Sequence, residues 1–201
     1  MEYSEFMSAI ARLDPLEWAA AALGLVNVAL IVRRSVWNYP FGLAMVSLYF
    51  FVFFEARLYS DALLQIFFFV VQLYGWWNWL RARRAAGEIR VLTLTPRARL
   101  LWIGGIVAAS TIWGLAMARY TNAAAPMIDA AIAGTSIAAQ ILMAQRRIEN
   151  WLLWILVDAI AIGLFASRGL HATSVLYALF LLLSIAGLIG WARALRGIRP
   201  A

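Results

Sequence analysis

The chain has 201 residues; 65% of them fall in the set AVILMFWYC and 13% are charged, with a mean hydropathy of +0.81. An ordinary soluble domain is about 45–50% apolar and about 25% charged, and apolar surface on this scale cannot be hidden inside one 22.4 kDa globule. A soluble enzyme, a disordered chain and a secreted disulfide scaffold are excluded, nucleic acid is not implied because the net charge of +7 comes from arginines in short loops, and an all-α polytopic membrane protein remains.

A membrane-crossing helix needs about 20 mainly apolar residues. Seven segments meet that length: 16–32, 38–54, 60–80, 100–119, 126–144, 149–166 and 171–194. They are too long and too uniformly apolar for barrel strands. Residues 1–15 are expected to form an extracytoplasmic N-terminus, with Glu2 and Glu5 where a cleavable signal peptide would be basic. The first three spans (16–80) bring Asn27, then Arg33-Arg34, then Trp37-Asn38. In the third, Asp61, Gln65, Gln72 and Trp76 fall within about 60° on a helix. Residues 81–99 are expected to form a basic cytoplasmic linker that acts as an anchor.

The fourth span, 100–119, has small residues at Gly104, Gly105, Ala108 and Ala109 and no charge or amide between Leu100 and Met117. It is expected to be a connector that packs closely through those small residues. The last three spans (126–194) carry polar or aromatic stripes. Asp129, Ser136 and Gln140 fall within about 40°, Asn150, Trp154 and Asp158 within about 80°, and Tyr177, Ser184 and Trp191 within about 40°. Residues 195–201 complete the chain as a cytoplasmic tail.

The arginines set an orientation. Arg33, Arg34, Arg81, Arg83, Arg84, Arg90, Arg97, Arg99, Arg146, Arg147, Arg193, Arg196 and Arg199 fall on one side, and Arg12, Arg57, Arg119 and Arg168 on the other. The bias puts the N-terminus outside and the C-terminus in the cytoplasm. The first and fifth spans end alike: Asn27, Arg33-Arg34 and Trp37-Asn38 match Gln140, Arg146-Arg147 and Asn150-Trp151 at an offset of 113, and Gly75-Trp76 matches Gly190-Trp191. A three-span unit is thus written twice around the connector, a 3+1+3 layout of parallel repeats related by an axis along the membrane normal.

Polar side chains within spans face the protein interior or a wet cavity, because hydrocarbon penalises them. An ionised Asp158 would cost on the order of 2.5–3.5 kcal/mol at mid-span. The candidate solute-binding residues are Asn27, Trp37, Asn38, Gln72, Gln140, Asn150, Trp154, Asp158 and Tyr177. Trp76, Trp77, Trp79 and Trp191 are expected in an interfacial aromatic belt, and His171 in an ordinary loop. With no cysteine, one histidine, no lysine and no GxSxG or HExxH sequence, catalytic, metal and cofactor sites are not expected, and a Walker A motif is excluded. The acids near the spans are too few for a carboxylate relay, so ion coupling has no support. A small carrier of a polar, ring-containing solute is the first reading. An intramembrane enzyme and an accessory subunit are the alternatives.

Three runs resemble the PnuC-type nicotinamide riboside transporters: Val36-Trp37-Asn38-Tyr39-Pro40-Phe41-Gly42, Gln72-Leu73-Tyr74-Gly75-Trp76-Trp77-Asn78-Trp79, and Gln145-Arg146-Arg147-Ile148-Glu149-Asn150-Trp151-Leu152-Leu153-Trp154 with Asp158. The similarity extends over all seven spans. It implies a SWEET-like fold, facilitated diffusion of nicotinamide riboside across the bacterial inner membrane, trapping by a separate cytoplasmic kinase, no cofactor, and a homo-oligomer, a trimer. Family relatives that carry riboflavin or thiamine make another B-vitamin the alternative solute. Every arginine lies at a span end, so a phosphate would find no buried basic partner, and the nucleoside is expected to pass where the mononucleotide does not.

Overall fold

The computed structural model describes residues 15–55, 57, 59–121 and 125–197. The N-terminal segment expected over 1–15, with Arg12, lies almost wholly outside the described residues, as does Arg199. Among the described residues seven helices follow one another: α1 Pro15–Val32, α2 Asn38–Glu55, α3 Tyr59–Ala86, α4 Pro96–Tyr120, α5 Pro126–Ala144, α6 Asn150–Ser167 and α7 His171–Leu195. Five of them, α3 to α7, are long and apolar enough to cross a bilayer. α1 contributes a shorter apolar stretch, Trp18–Val32. α2 is 18 residues long, and its ends are polar at Asn38 and Glu55. No strand occurs among the described residues beyond an isolated bridge between Leu92 and Arg147.

The helices overrun the expected spans where arginine, a good helix former, continues past the apolar stretch. α3 runs on through Arg81, Arg83 and Arg84 until Gly87, whose φ of 74° ends it. α4 starts early because Pro96 takes its first position and the Thr95 hydroxyl accepts from the Ala98 amide at 3.3 Å. The stretch expected as an 81–99 linker is therefore helical at both ends, leaving a short connection around 87–95.

The packing pairs define a closed circuit. α1 packs on α2, α2 on α3, α3 on α5, α5 on α6, α6 on α7, and α7 on α1. α4 packs on α5 alone. Six helices thus form a ring in which each repeat's first helix meets the other repeat's third, as a two-fold axis down the ring requires. α4 stands outside as a connector, but not through the expected face. A side chain at Gly104 or Gly105 would meet nothing within 4 Å. The contact uses Ser110 against Gly134, and Gly114 against Met127 and Ala130. The small-residue argument holds, one face further round the helix.

The repeat is real, but its register is 112 and not 113. α1 ends with Arg34 N–H donating to Ile31 O and Ser35 N–H to Leu30 O, both at 2.9 Å, and α5 ends with Arg146 N–H donating to Met143 O and Arg147 N–H to Leu142 O, both at 2.9 Å. Both ends are glycine-type helix stops made with arginine, at φ 56° for Arg34 and 62° for Arg146. Asn38 Nδ2 then caps Ser35 O at 2.6 Å, and Asn150 Nδ2 caps Arg147 O at 2.5 Å. Matching the arginine pairs by eye misses by one residue, because the left-handed position falls on the second arginine of one pair and the first of the other. The true equivalents are Asn38 and Asn150, Gly75 and Gly187, and Trp79 and Trp191.

Candidate functional site

The ring is plugged at its arginine-rich end. Tyr39, Trp79, Trp151 and Trp191 are fully or almost fully buried there with Ile31, Val36 and Met143. Trp79 and Trp191 therefore belong to the core and not to the expected belt. Trp76 is half-buried and stacks on Tyr39 with centroids 6.5 Å apart, whereas Trp77 is exposed with Arg81 over its ring at 5.5 Å. The plug is two-fold symmetric in its bonds. Trp79 Nε1 donates across the ring to Met143 O at 3.2 Å, and Trp191 Nε1 donates back to Ile31 O at 3.1 Å. Tyr39 packs into the space left by Gly75, where a Cβ would lie 2.7 Å from the phenol oxygen. Trp151 packs likewise against Gly187, where a Cβ would lie 2.5 Å from its ring. Edge contacts join Tyr39 to Trp79 at 5.5 Å and Trp151 to Trp191 at 5.5 Å.

The 87–95 connection closes over this plug. Ile89 and Val91 are buried in it. Leu92 exchanges two backbone bonds with the turn between α5 and α6, to Arg146 O and from Ile148 N, both at 2.9 Å. Arg34 reaches Ile89 O at 3.3 Å. Glu149 Oε1 accepts from Leu94 N at 3.0 Å and pairs with Arg99 at 2.9 Å. The segment expected as a basic anchor is thus a strap joining both repeats.

One helical turn, ~5.4 Å, separates each plug position from the next inward-facing position. Counting back from Ile31, Met143–Ala144, Gly75–Trp76 and Gly187, and forward from Asn38–Tyr39 and Asn150–Trp151, gives Asn27, Gln140, Gln72, Ser184, Gly42 and Trp154. Each of the six ring helices supplies one. Five are buried, and Trp154 is half-buried against the plug. Gln72 is 2% exposed, and its Oε1 has no hydrogen-bond donor. The Asn27 Oδ1 is buried and equally without a donor. Gly42 leaves room for the Gln72 carboxamide, which a Cβ there would displace. A turn further from the plug, Asp158 is 3% exposed and accepts from the Ser184 hydroxyl at 3.0 Å. Tyr177 stacks on Phe165 at 5.3 Å and lies within electrostatic range of Asp158 and Tyr49.

Of the nine candidates, the structure gathers Asn27, Gln72, Gln140 and Trp154 in one layer, with Asp158 and Tyr177 in the wall beyond it. Asn38 and Asn150 sit one turn below as turn caps, each keeping a buried Oδ1 without a donor. Trp37 does not join them. It lies on the surface at 65% exposure, in the turn before α2. Asp129 leaves its expected stripe and lies 3.9 Å from Arg168 at the far end of the ring, a half-exposed pair of little energetic weight. The sequence reading omitted Gly42 and Ser184 from the site. The register of 112 is the signal that finds Ser184, because it aligns that residue with Gln72. No cluster able to hold a metal ion occurs among the described residues.

The layer holds three carboxamides, a hydroxyl and an indole, with the Asp158 carboxylate one turn beyond it and no basic side chain. It suits an uncharged or cationic solute that donates several hydrogen bonds and carries a flat ring. The chain is similar to known transporters. The nicotinamide riboside transporter PnuC of Escherichia coli (strain K12) is 30% identical over 209 residues, covering 90% of this chain and 87% of that protein. Its counterpart from Neisseria mucosa is 31% identical over 199 residues, covering 91% and 75%. The riboflavin/roseoflavin transporter RibM of Streptomyces davaonensis is 31% identical over 186 residues, covering 89% and 85%. A crystal structure of the vitamin B3 transporter PnuC superposes with a TM-score of 0.75 at 28% identity, covering 92% of this chain and 83% of that one. The family model described as "Nicotinamide mononucleotide transporter" matches residues 14–193, and the chain belongs to that family of membrane transporters.

Proposed function

We propose that this chain carries nicotinamide riboside across the bacterial inner membrane by facilitated diffusion, with a separate cytoplasmic kinase trapping the vitamin by phosphorylation. The observation that carries the reading is the layer of buried acceptors around Trp154. The carboxamide N–H groups and ribose hydroxyls of the riboside would supply the donors that Asn27 Oδ1 and Gln72 Oε1 lack, with Gln140 beside them. Trp154 would stack on the pyridinium by cation–π contact. Asp158, kept in place by Ser184, would balance the cation or accept from the ribose, and Tyr177 would close that wall. The Asn38 and Asn150 carbonyls would line the floor.

The arginine bias supports an orientation in which the plugged end faces the cytoplasm. A homotrimer is the proposed assembly, with the outward face of α4 at Gly104 and Gly105 available for close helix approach. The family's name speaks of the mononucleotide, but a phosphate beside this layer would meet Asp158 and no arginine. Calorimetric titration of the purified protein tests this: the riboside binds, and the mononucleotide binds at least about 100-fold more weakly, the size of one lost charge-assisted bond. Equal binding of both would refute the assignment. Riboflavin is the second reading, favoured by the similarity to the riboflavin/roseoflavin transporter, and the same titration separates the two.

A further inference from the structure

The arginine-rich end carries a second polar feature that solute passage does not use. Between the end of α3, the strap and the turn after α5 lies a cleft of about 330 Å³ lined by Asn78, Arg81, Arg90 and Arg146 with three alanines. Among the described residues none of these three arginines has a carboxylate partner; the ion pairs are Arg99–Glu149 and Arg168–Asp129. The neighbouring cleft, lined by Arg33, Arg34 and Arg83, includes Glu88 among its walls. The first contains only cations.

Arg146 is the least comfortable of the three. Its Nε is buried with no acceptor. Desolvation and the adjacent Arg147 both press against its charge. Its backbone holds a φ of 62°, a conformation glycine adopts freely and arginine does not. The helix stop accounts for the left-handed backbone, but not for a guanidinium whose Nε is buried without an acceptor. A guanidinium retained at such a position has a use for its charge. The chemistry that three convergent arginines match is a phosphate, through bidentate, charge-assisted bonds. Arg81 directly follows the apolar part of α3, at the depth where headgroups meet the helix ends.

We propose that this cleft binds a phosphate group through Arg81, Arg90 and Arg146, carried either by an anionic phospholipid headgroup or by a soluble phosphomonoester. A phosphate held there would bridge α3, the strap and the α5–α6 turn, three elements of the closure, and would stabilise the plugged end. With a lipid, the protein would sense the anionic inner leaflet. With a soluble phosphomonoester, phosphorylated metabolites would slow release at that end.

The test uses the full-length purified protein. Thermal unfolding is followed in detergent against adenosine monophosphate and inorganic phosphate, and in nanodiscs of phosphatidylcholine with and without phosphatidylglycerol. The expected result is saturable stabilisation in one arm, which identifies the source, and at least a tenfold weaker half-saturation in Arg90→Gln, an exposed substitution. Arg146→Gly relieves the backbone and should unfold no earlier than the wild type without phosphate, yet should lose the phosphate-dependent gain. Arg119→Gln, at the opposite end of α4, should behave as the wild type. The proposal is overturned if neither arm stabilises the protein, or if Arg90→Gln and Arg146→Gly respond as fully as the wild type.

Discussion

Gly42 and Gln72 show how single residues shape the site. The missing Cβ of Gly42 lets the Gln72 carboxamide lie against α2 with its oxygen unpaired. Gly42→Ala should displace that amide and weaken riboside binding by about tenfold or more, the value of one hydrogen bond in a dry site, without unfolding the ring. Calorimetry alongside a thermal scan would separate the two effects. Asp158 is held by Ser184 at 3.0 Å. Asp158→Ala should lower uptake by roughly 10–100-fold, as expected for loss of a hydrogen bond to a charged partner. Ser184→Ala should lower it less, because the carboxylate remains. Uptake by the Ser184→Ala protein as poor as that of Asp158→Ala would mean that the hydroxyl, not the acid, meets the solute. Gln72 and Asp158 were legible in the sequence because hydrocarbon makes polar residues conspicuous. Gly42 was not, because its contribution is the atom it lacks, and Trp37 misled because an aromatic before a helix looks the same whether it faces in or out.

The elements divide into those that repeat and those that have diverged. In the register of 112, much of the plug is kept: Asn38 with Asn150, Gly75 with Gly187, Trp79 with Trp191, while Tyr39 answers to Trp151, one aromatic to another. One turn away the pairs differ: Gln72 with Ser184, Gly42 with Trp154, and, beyond, Val46 with Asp158. A mechanical closure can be symmetric, whereas a site for a solute with a ring at one end and a sugar at the other cannot. The crossed bonds of Trp79 and Trp191 make a sharp prediction. Trp79→Phe and Trp191→Phe each remove one equivalent bond, so each should lower the melting temperature by a similar small amount, at a cost of about 0.6–1 kcal/mol. The strap gives another. Val91→Ser with Glu149→Ala removes a buried apolar contact and the acceptor of Leu94 and Arg99, and should speed protease cleavage within 87–95 by more than tenfold relative to the wild type. Unchanged cleavage would mean that the backbone bonds at Leu92 hold the strap alone. Helix existence and order could be read from apolar length. The strap could not, because Gly87, Glu88 and Arg90 read as solvent, and its anchoring depends on two buried aliphatic residues and on partners 55 residues away.

The whole molecule is a ring of six helices with a connector outside it, closed at one end by aromatic side chains and lined just inside the closure by hydrogen-bond acceptors. Ten tryptophans in a small membrane protein invite an interfacial explanation, and part of that holds for Trp77. The structure instead spends Trp79, Trp151 and Trp191 on the closure, a choice that composition could not reveal because it depends on which helices meet. Under the proposed function the carrier equilibrates its solute. The most direct test is uptake of labelled nicotinamide riboside into proteoliposomes holding no kinase and no ion gradient. Internal riboside should rise to the external concentration and stop, while nicotinamide mononucleotide stays outside. Accumulation above the external concentration on imposing a proton or sodium gradient, or entry of the mononucleotide at a comparable rate, would contradict that function.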